Sequence, residues 1–258
     1  MPEHPKELFD LEGRVALITG ASRGIGRALA VGFARAGAKL VCAARSDAGC
    51  AETAEMIASE GGEAAPVTFD LADVGSHARP IQIALERFGR LDILVNNAAI
   101  LRPHFIDKLS ADEIDELNAT NVRGPVMFSR AAFPHLAAGG HGAIVNLTAV
   151  AGHEPMQGLG AYAASKAALI SWTRVMAQEW TPRGVRVNGL TPGSVATDMI
   201  LPRDPARREK FTAELQAQNL FGRIADPEEM VGPALFLASD AASFMTGQVL
   251  VVDGGLMA

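Results

Sequence analysis

The sequence predicts an α/β fold, a doubly wound parallel sheet of about seven strands with helices on both faces. Three observations predict it: short runs rich in Val, Ile and Leu recur along the chain, the runs are continuous rather than alternating, and longer stretches of helical periodicity separate them. Strands covered on both faces read as unbroken apolar runs, and repeated strand-helix units build a parallel sheet between two helical layers. The runs fall at Arg14–Thr19, Lys39–Ala43, Val67–Phe69, Leu91–Val95, Ala143–Leu147, Val185–Leu190 and Val249–Val252. Among the helical stretches, Asp226-Pro227-Glu228-Glu229 reads as a helix start, and the acidic Asp112, Glu113, Asp115 and Glu116 open another, where carboxylates favour the helix dipole. One irregular stretch, from Thr191 to about Arg208 with Pro192, Pro202 and Pro205, has the length of a lid or binding loop.

The composition bounds what the fold is for. The 258 residues are 48% apolar with a formal net charge of −6 and no basic run, which argues for a single globular domain over residues 1–258 and against a nucleic-acid partner. The polar start from Met1 to Asp10 and the absence of a long uninterrupted apolar stretch predict no signal and no membrane span. Cys42 and Cys50 lack metal or disulfide spacing, in keeping with a reduced cytoplasmic compartment. The six histidines, His4, His77, His104, His135, His141 and His153, form no ligand pattern, so no metal is expected.

Directly after the first strand comes Thr19-Gly20-Ala21-Ser22-Arg23-Gly24-Ile25-Gly26, followed by a helical run. Glycines between a strand and a helix let the backbone approach a pyrophosphate, and the helix start offers free N–H groups. No GKS or GKT closes the turn, so a P-loop is excluded. At the end of the second strand an acidic residue would grip the ribose hydroxyl of NAD, and arginine would accommodate the 2′-phosphate of NADP. This chain has Ala44 and then Arg45, and Arg23 stands in the glycine turn, so the expected cofactor is NADP(H).

Tyr162, the chain's only tyrosine, stands four residues before Lys166, on one face of a helix. A phenol is a weak acid at pH 7, and a neighbouring ammonium is expected to lower its pKa. The pair could then exchange a proton with a carbonyl or alcohol oxygen.

The spacing TGxxxGxG, Asn96-Asn97-Ala98-Ala99 in place of NNAG, Tyr162-Ala163-Ala164-Ser165-Lys166 as YxxxK, and Pro192-Gly193 with Thr197 as PGxxxT together resemble the short-chain dehydrogenase/reductase family from about Leu11 to Gly255. The resemblance implies a Rossmann-type fold, a nicotinamide cofactor and a carbonyl or alcohol substrate. It implies cofactor contacts from Gly20, Ser22, Arg23, Gly24, Ile25, Gly26, Arg45, Asp70, Leu71, Asn97, Ala98, Ala99, Tyr162, Lys166, Pro192, Gly193, Val195 and Thr197. Asp70 and Leu71 would face the adenine, Asn97 to Ala99 the ribose, and Asn121 would join Tyr162 and Lys166 as the residue ordering a relay water.

One member departs. The family's catalytic serine, thirteen residues before the tyrosine, falls on Ala149, while Thr148 beside it should face away if the strand continues. Either a serine has been replaced and the chain is impaired, or Tyr162, Lys166 and Asn121 work alone. Alanine at the last position of Asn96-Asn97-Ala98-Ala99 is a milder departure, narrowing the floor by one methyl.

The substrate pocket is expected from Ala149, His153, Leu159 and Met199, within walls at Leu101–Phe105 and His153–Leu159 and with Ile200, Leu201 and Phe221. These are mostly apolar, which favours a small apolar or cyclic ketone or secondary alcohol. A non-catalytic NADP-binding sensor or scaffold is the alternative class, and a carrier-protein β-ketoacyl reductase the alternative enzyme, although Ala138-Gly139-Gly140-His141-Gly142 lacks the basic residue such reductases present to an acidic carrier. By resemblance the chain assembles as a homotetramer, through the helices holding Asn121 and Tyr162 and through its apolar C-terminal end.

Overall fold

The computed structural model describes residues 5–258, so His4 and the first part of the polar start lie outside the described residues. Seven parallel strands form one sheet in the order β3-β2-β1-β4-β5-β6-β7. They are β1 (Val15–Thr19), β2 (Lys39–Ala44), β3 (Ala64–Thr68), β4 (Ile93–Asn96), β5 (Gly142–Leu147), β6 (Val185–Pro192) and β7 (Val249–Val252). The helices are α1 (Gly24–Arg35), α2 (Asp47–Ser59), α3 (Ala78–Phe88), α4 (Ala111–Asn118), α5 (Gly124–Ala138), α6 (Gly160–Trp180), α7 (Pro205–Gln216) and α8 (Val231–Ala238).

The central strands are unbroken apolar runs because both faces are covered. In β1, Ala16 and Ile18 join a core with Leu29 and Phe33 of α1 and Ala234 and Leu237 of α8; Val15 and Leu17 join the opposite core with Phe128 of α5 and Met176 of α6. On α6 the buried Leu169, Ile170, Thr173, Met176 and Ala177 form the stripe that lies on the sheet.

The strand ends of β1, β2 and β5 differ from the sequence expectation by one residue, and those of β3, β4 and β6 by more. β3 starts at Ala64 rather than Val67 and ends before Phe69, since this edge strand alternates buried Ala65 and Val67 with exposed Pro66 and Thr68. Pro66 is tolerated there because an edge strand need not donate on its outer side. β4 starts at Ile93 rather than Leu91, and β6 runs two residues further, Pro192 pairing with Val252. At the Asp226 start the capping box with Glu229 forms, but its first turn, Pro227–Met230, is a 3-10 turn leading into α8. The start at Asp112 and Glu113 is α4, capped by Ser110, which accepts from the Glu113 N–H at 3.2 Å.

The order of strands reverses between β1 and β4. In open α/β sheets the crevice beyond the carboxyl ends of the strands at such a point is where ligands bind. Thr19-Gly20 and Asn97-Ala98 leave the sheet there.

Candidate active site

Thr19 ties the two sides of the crevice together. Its hydroxyl donates to the Val95 carbonyl (3.3 Å) and accepts from the N–H groups of Asn97 and Ala98 (both 3.0 Å), while the Asn97 amide donates to the Thr19 carbonyl at 2.9 Å. The glycines beside it are required by space. Gly20 has φ +71°, and a Cβ on Gly26 would lie 2.2 Å from the Gly20 carbonyl oxygen. α1 then begins at Gly24 behind Arg23, whose side chain makes no cap hydrogen bond, so the helix start keeps its N–H donors. A close backbone cradle against uncommitted N–H groups is what a pyrophosphate needs, so these residues fit a dinucleotide.

A second helix start lies against the glycine turn. A Cβ on Gly49, in the first turn of α2, would meet Ser22 at 2.8 Å, so α2 abuts the glycine turn, with Ser46 as its N-cap and exposed Arg45 just before it. Arg27 is engaged elsewhere, donating to both Glu52 carboxylate oxygens (2.9 and 2.6 Å) and to the Ser22 carbonyl (2.6 Å). Asp70 accepts from the Ala72 N–H at 3.0 Å, and the carbonyl of buried Leu71 lies 2.9 Å from His77 Nε2. Ile25 is half-buried against the core. Thr197 meets the start of α1, its Cγ2 lying 3.2 Å from where a Gly24 Cβ would be. Pro192 ends β6, and Gly193 lets the chain pass Asp253, whose Cα would be 2.6 Å from an added Cβ. Val195 is 3% exposed and bridges Ala225, so its side chain sits in the core.

The proton-handling residues lie on α6. Lys166 is buried, and its ammonium donates to the Leu147 carbonyl at the end of β5 (2.7 Å) while standing 5.7 Å from the Tyr162 ring centroid. Burial pushes the Tyr162 phenol up to about 12 and draws the Lys166 ammonium down to about 8. Loss of solvent is the cause in both cases, so the phenol is raised where the sequence reading expects the ammonium to lower it.

Asn121 is in a π-helical turn, Ala119–Arg123, between α4 and α5. Its amide donates to the Ile100 carbonyl (2.9 Å) and the Ser165 hydroxyl (3.2 Å), and its carbonyl oxygen accepts from the Ile100 N–H (2.9 Å). Both amide hydrogens are therefore committed to fixing the segment after β4 against α6.

Ala149 is half-buried and extended (φ −161°), leading into a 3-10 turn, Val150–Gly152. That turn presses on α6, where a Cβ on Gly152 would come within 2.9 Å of the Lys166 backbone. β5 stops at Leu147, so alternation does not decide where Thr148 points. Its hydroxyl is instead engaged with the Leu190 carbonyl (3.1 Å) and the Thr191 hydroxyl (2.6 Å). His153 is exposed, with Nε2 at 2.9 Å from the same Thr191 hydroxyl. Leu159 is the residue before α6, half-buried, and Met199 is 42% exposed.

At the mouth a cleft of about 530 Å³ is lined by Phe105, Ile106 and Met156 together with His104 and Asp107. Two basic residues of the segment leading to this cleft are paired with acids. Arg102 donates to both carboxylate oxygens of Glu116 (3.1 and 2.8 Å), and His104 Nδ1 lies 2.8 Å from Glu113.

Sequence reasoning missed the buried polar link beneath the site. Asn96 and Asn146 are register partners on β4 and β5. Asn96 donates to Asn146 and to Ser129 of α5, and Asn146 donates to Thr173 of α6, all at 2.8 Å. The available signal was an asparagine near the end of each of two neighbouring apolar runs. Among the described residues no cluster of His, Cys, Asp or Glu could hold a metal, and no helix is long and apolar enough to cross a membrane. Both cysteines are buried, with the Cys42 thiol pushed up to about 12 by burial.

Comparison with known proteins adds to this geometry. Residues 20–257 match the family model described as Enoyl-(Acyl carrier protein) reductase. The chain is 39% identical to gluconate 5-dehydrogenase of Gluconobacter oxydans, covering 98% of both, and 36% identical to a 3-oxoacyl-[acyl-carrier-protein] reductase of Vibrio cholerae, covering 96% of this chain and 99% of that one. Its fold matches the crystal structure of a gluconate 5-dehydrogenase from Burkholderia cenocepacia in complex with NADP and tartrate, with a TM-score of 0.91 and 38% identity over 98% of this chain and 99% of that one.

Proposed function

The chain belongs to the short-chain dehydrogenase/reductase family, and on that premise we propose that it is an NADP(H)-dependent oxidoreductase interconverting an uncharged, apolar or cyclic ketone and its secondary alcohol. The observation that carries the reading is the Lys166 ammonium held on the Leu147 carbonyl at the carboxyl end of β5, 5.7 Å from the Tyr162 ring, in the same sheet whose β1 and β4 ends carry the cradle of Thr19, the glycine turn and Asn97.

When bound, the nicotinamide supplies or accepts the hydride. The cradle and the N–H groups at the start of α1 would hold the pyrophosphate, and Arg23, Arg45 and the α2 start would face the 2′-phosphate. Tyr162, protonated at neutral pH, gives its proton to the carbonyl oxygen during reduction. Lys166 supports the phenolate that remains, and the Leu147 carbonyl fixes its ammonium in place. Asn121 holds the segment after β4 in register with α6. With alanine at position 149 the substrate oxygen lacks one donor, and the Thr148 hydroxyl is engaged, so this chain should turn over slowly for its family.

The substrate class rests on the mouth. Several relatives are named for sugar acids, yet Arg102 and His104 are each held by a glutamate, which leaves the apolar Phe105, Ile106 and Met156 as the surface offered. A panel of cyclic ketones, 5-ketogluconate and a β-ketoacyl thioester, followed by NADPH absorbance, tests this. Cyclic ketones should give the highest kcat/KM, and preference for the sugar acid or thioester would overturn the substrate assignment.

A homotetramer is the proposed assembly, in a cytoplasmic setting. A groove of about 760 Å³ along α4, α5 and α6 exposes Val126, Met127 and Trp172, while the edge strand β7 leaves Val251 and nearby Phe244 exposed, giving two separate apolar faces. Light scattering at micromolar concentration should give about four times the 27.0 kDa chain mass.

A further inference from the structure

The guanidinium of Arg23 is engaged by a carboxylate from the loop after β6. Its Nη1 lies 3.3 Å from a carboxylate oxygen of Asp198, 175 residues away, and both side chains are about two-thirds exposed. Two anchors hold Asp198 there. Upstream, Ser194 and Ala196 exchange hydrogen bonds with Ala225 (2.9 and 2.8 Å); downstream, Leu201 is buried, and its N–H and that of Ile200 return to the Thr197 carbonyl (3.0 and 3.2 Å). Asp198 thus projects from a fixed turn onto the glycine turn, at the point where Thr197 meets Gly24.

We propose that Asp198 is a specificity-determining residue for the cofactor: its carboxylate competes with the 2′-phosphate for Arg23 and lowers affinity for NADPH while leaving NADH unaffected. The inference rests on the assignment of Arg23 to the 2′-phosphate. A dinucleotide without that phosphate leaves the Arg23–Asp198 pair intact, whereas one with it must draw the guanidinium away and place a second anion near the carboxylate. Both effects act at the 2′-phosphate, which NADPH alone carries, whereas any repulsion of the pyrophosphate by the carboxylate is common to the two cofactors and cancels in the comparison. An exposed pair is weak, so the effect is modest, about two- to fivefold in affinity.

Calorimetric affinities for NADPH and NADH in Asp198→Asn, Arg23→Ala and the double variant test it. Asp198→Asn should tighten NADPH about two- to fivefold with NADH changed by less than about 1.5-fold, and Asp198→Glu should restore the original NADPH affinity. In the Arg23→Ala background the NADPH gain from Asp198→Asn should shrink to the size of the NADH change. Equal shifts for the two cofactors, no shift at all, or a gain that persists without Arg23 would overturn the competition. If Arg23→Ala leaves NADPH affinity unchanged, the phosphate assignment fails and the inference fails with it; a loss from Arg23→Ala without a gain from Asp198→Asn rejects the competition alone.

Discussion

The floor of the crevice and the stretch after β6, proposed as its cover, are built by opposite rules. In the floor, Thr19, Asn121 and Lys166 are each at most 3% exposed, and each makes hydrogen bonds to backbone from another part of the chain. In the cover, α7 has no buried residue, Leu220 and Phe221 are 80% and 74% exposed, and the link to the glycine turn includes the solvent-exposed Arg23–Asp198 pair. Proton transfer tolerates errors of only a fraction of an ångström, so it belongs where several bonds determine each atom. A cover must open for substrate, so it is drawn from the weakly packed part of the chain.

That contrast can be broken or sharpened by experiment. The largest effect should come from Tyr162→Phe, which keeps the shape of the floor and removes its only phenol; turnover should fall about 10²- to 10⁴-fold while NADPH affinity and the melting temperature stay near their original values. A change in melting temperature matching the loss of rate would mean that the residue acts through the fold.

Next, Ala149→Ser should add a donor to the floor and raise kcat at least about tenfold, with NADPH affinity within about threefold. Unchanged turnover on an accepted substrate would favour a serine-free mechanism. Gly26→Ala then tests how tightly the cradle is packed. Its Cβ meets the Gly20 carbonyl and the Asn97 amide, so it should destabilise the protein by about 1–3 kcal/mol, lowering the melting temperature by about 2–4 °C for each kcal/mol.

A pH profile separates the chemistry from the cover. Burial lowers the Lys166 pKa to about 8, so the ammonium is present below that pH and lost above it, while the phenol stays protonated to about 12. Without the ammonium the phenol is a weaker acid, and kcat/KM for ketone reduction should fall about tenfold per pH unit above 8. A flat profile between pH 7 and 10 would remove Lys166 from the proton step. The smallest effect is expected in the cover: Ala213→Gly on exposed α7 weakens that helix by about 1 kcal/mol, yet should move the melting temperature by less than about 1 °C while speeding hydrogen exchange within α7. A global shift would show that α7 folds as one unit with the sheet.

Legibility in the sequence followed the same division. β1 and β2 were readable because burial on both faces forces unbroken apolar runs, and the start of β3 was not, because an edge strand with Pro66 lacks that pattern. The glycine turn and the Tyr162–Lys166 pair were readable because their parts are adjacent in the chain. The Asn96–Asn146 link, the engagement of Thr148 by β6 and the Arg23–Asp198 pair were not, because each joins residues 42 to 175 positions apart.

The sequence by itself determined the period of the strands, the conformations that only glycine adopts readily at Gly20 and Gly24, and the chemical groups available for proton transfer, since these depend on local sterics and residue type. Tertiary structure alone decided their condition: that the phenol is raised rather than lowered, that the Asn121 amide and the Thr148 hydroxyl are already engaged, and that Arg102 and His104 are each paired with a glutamate. Desolvation and hydrogen-bond satisfaction depend on which distant groups arrive at the same place, and in this protein the sheet order and the loop after β6 bring them together.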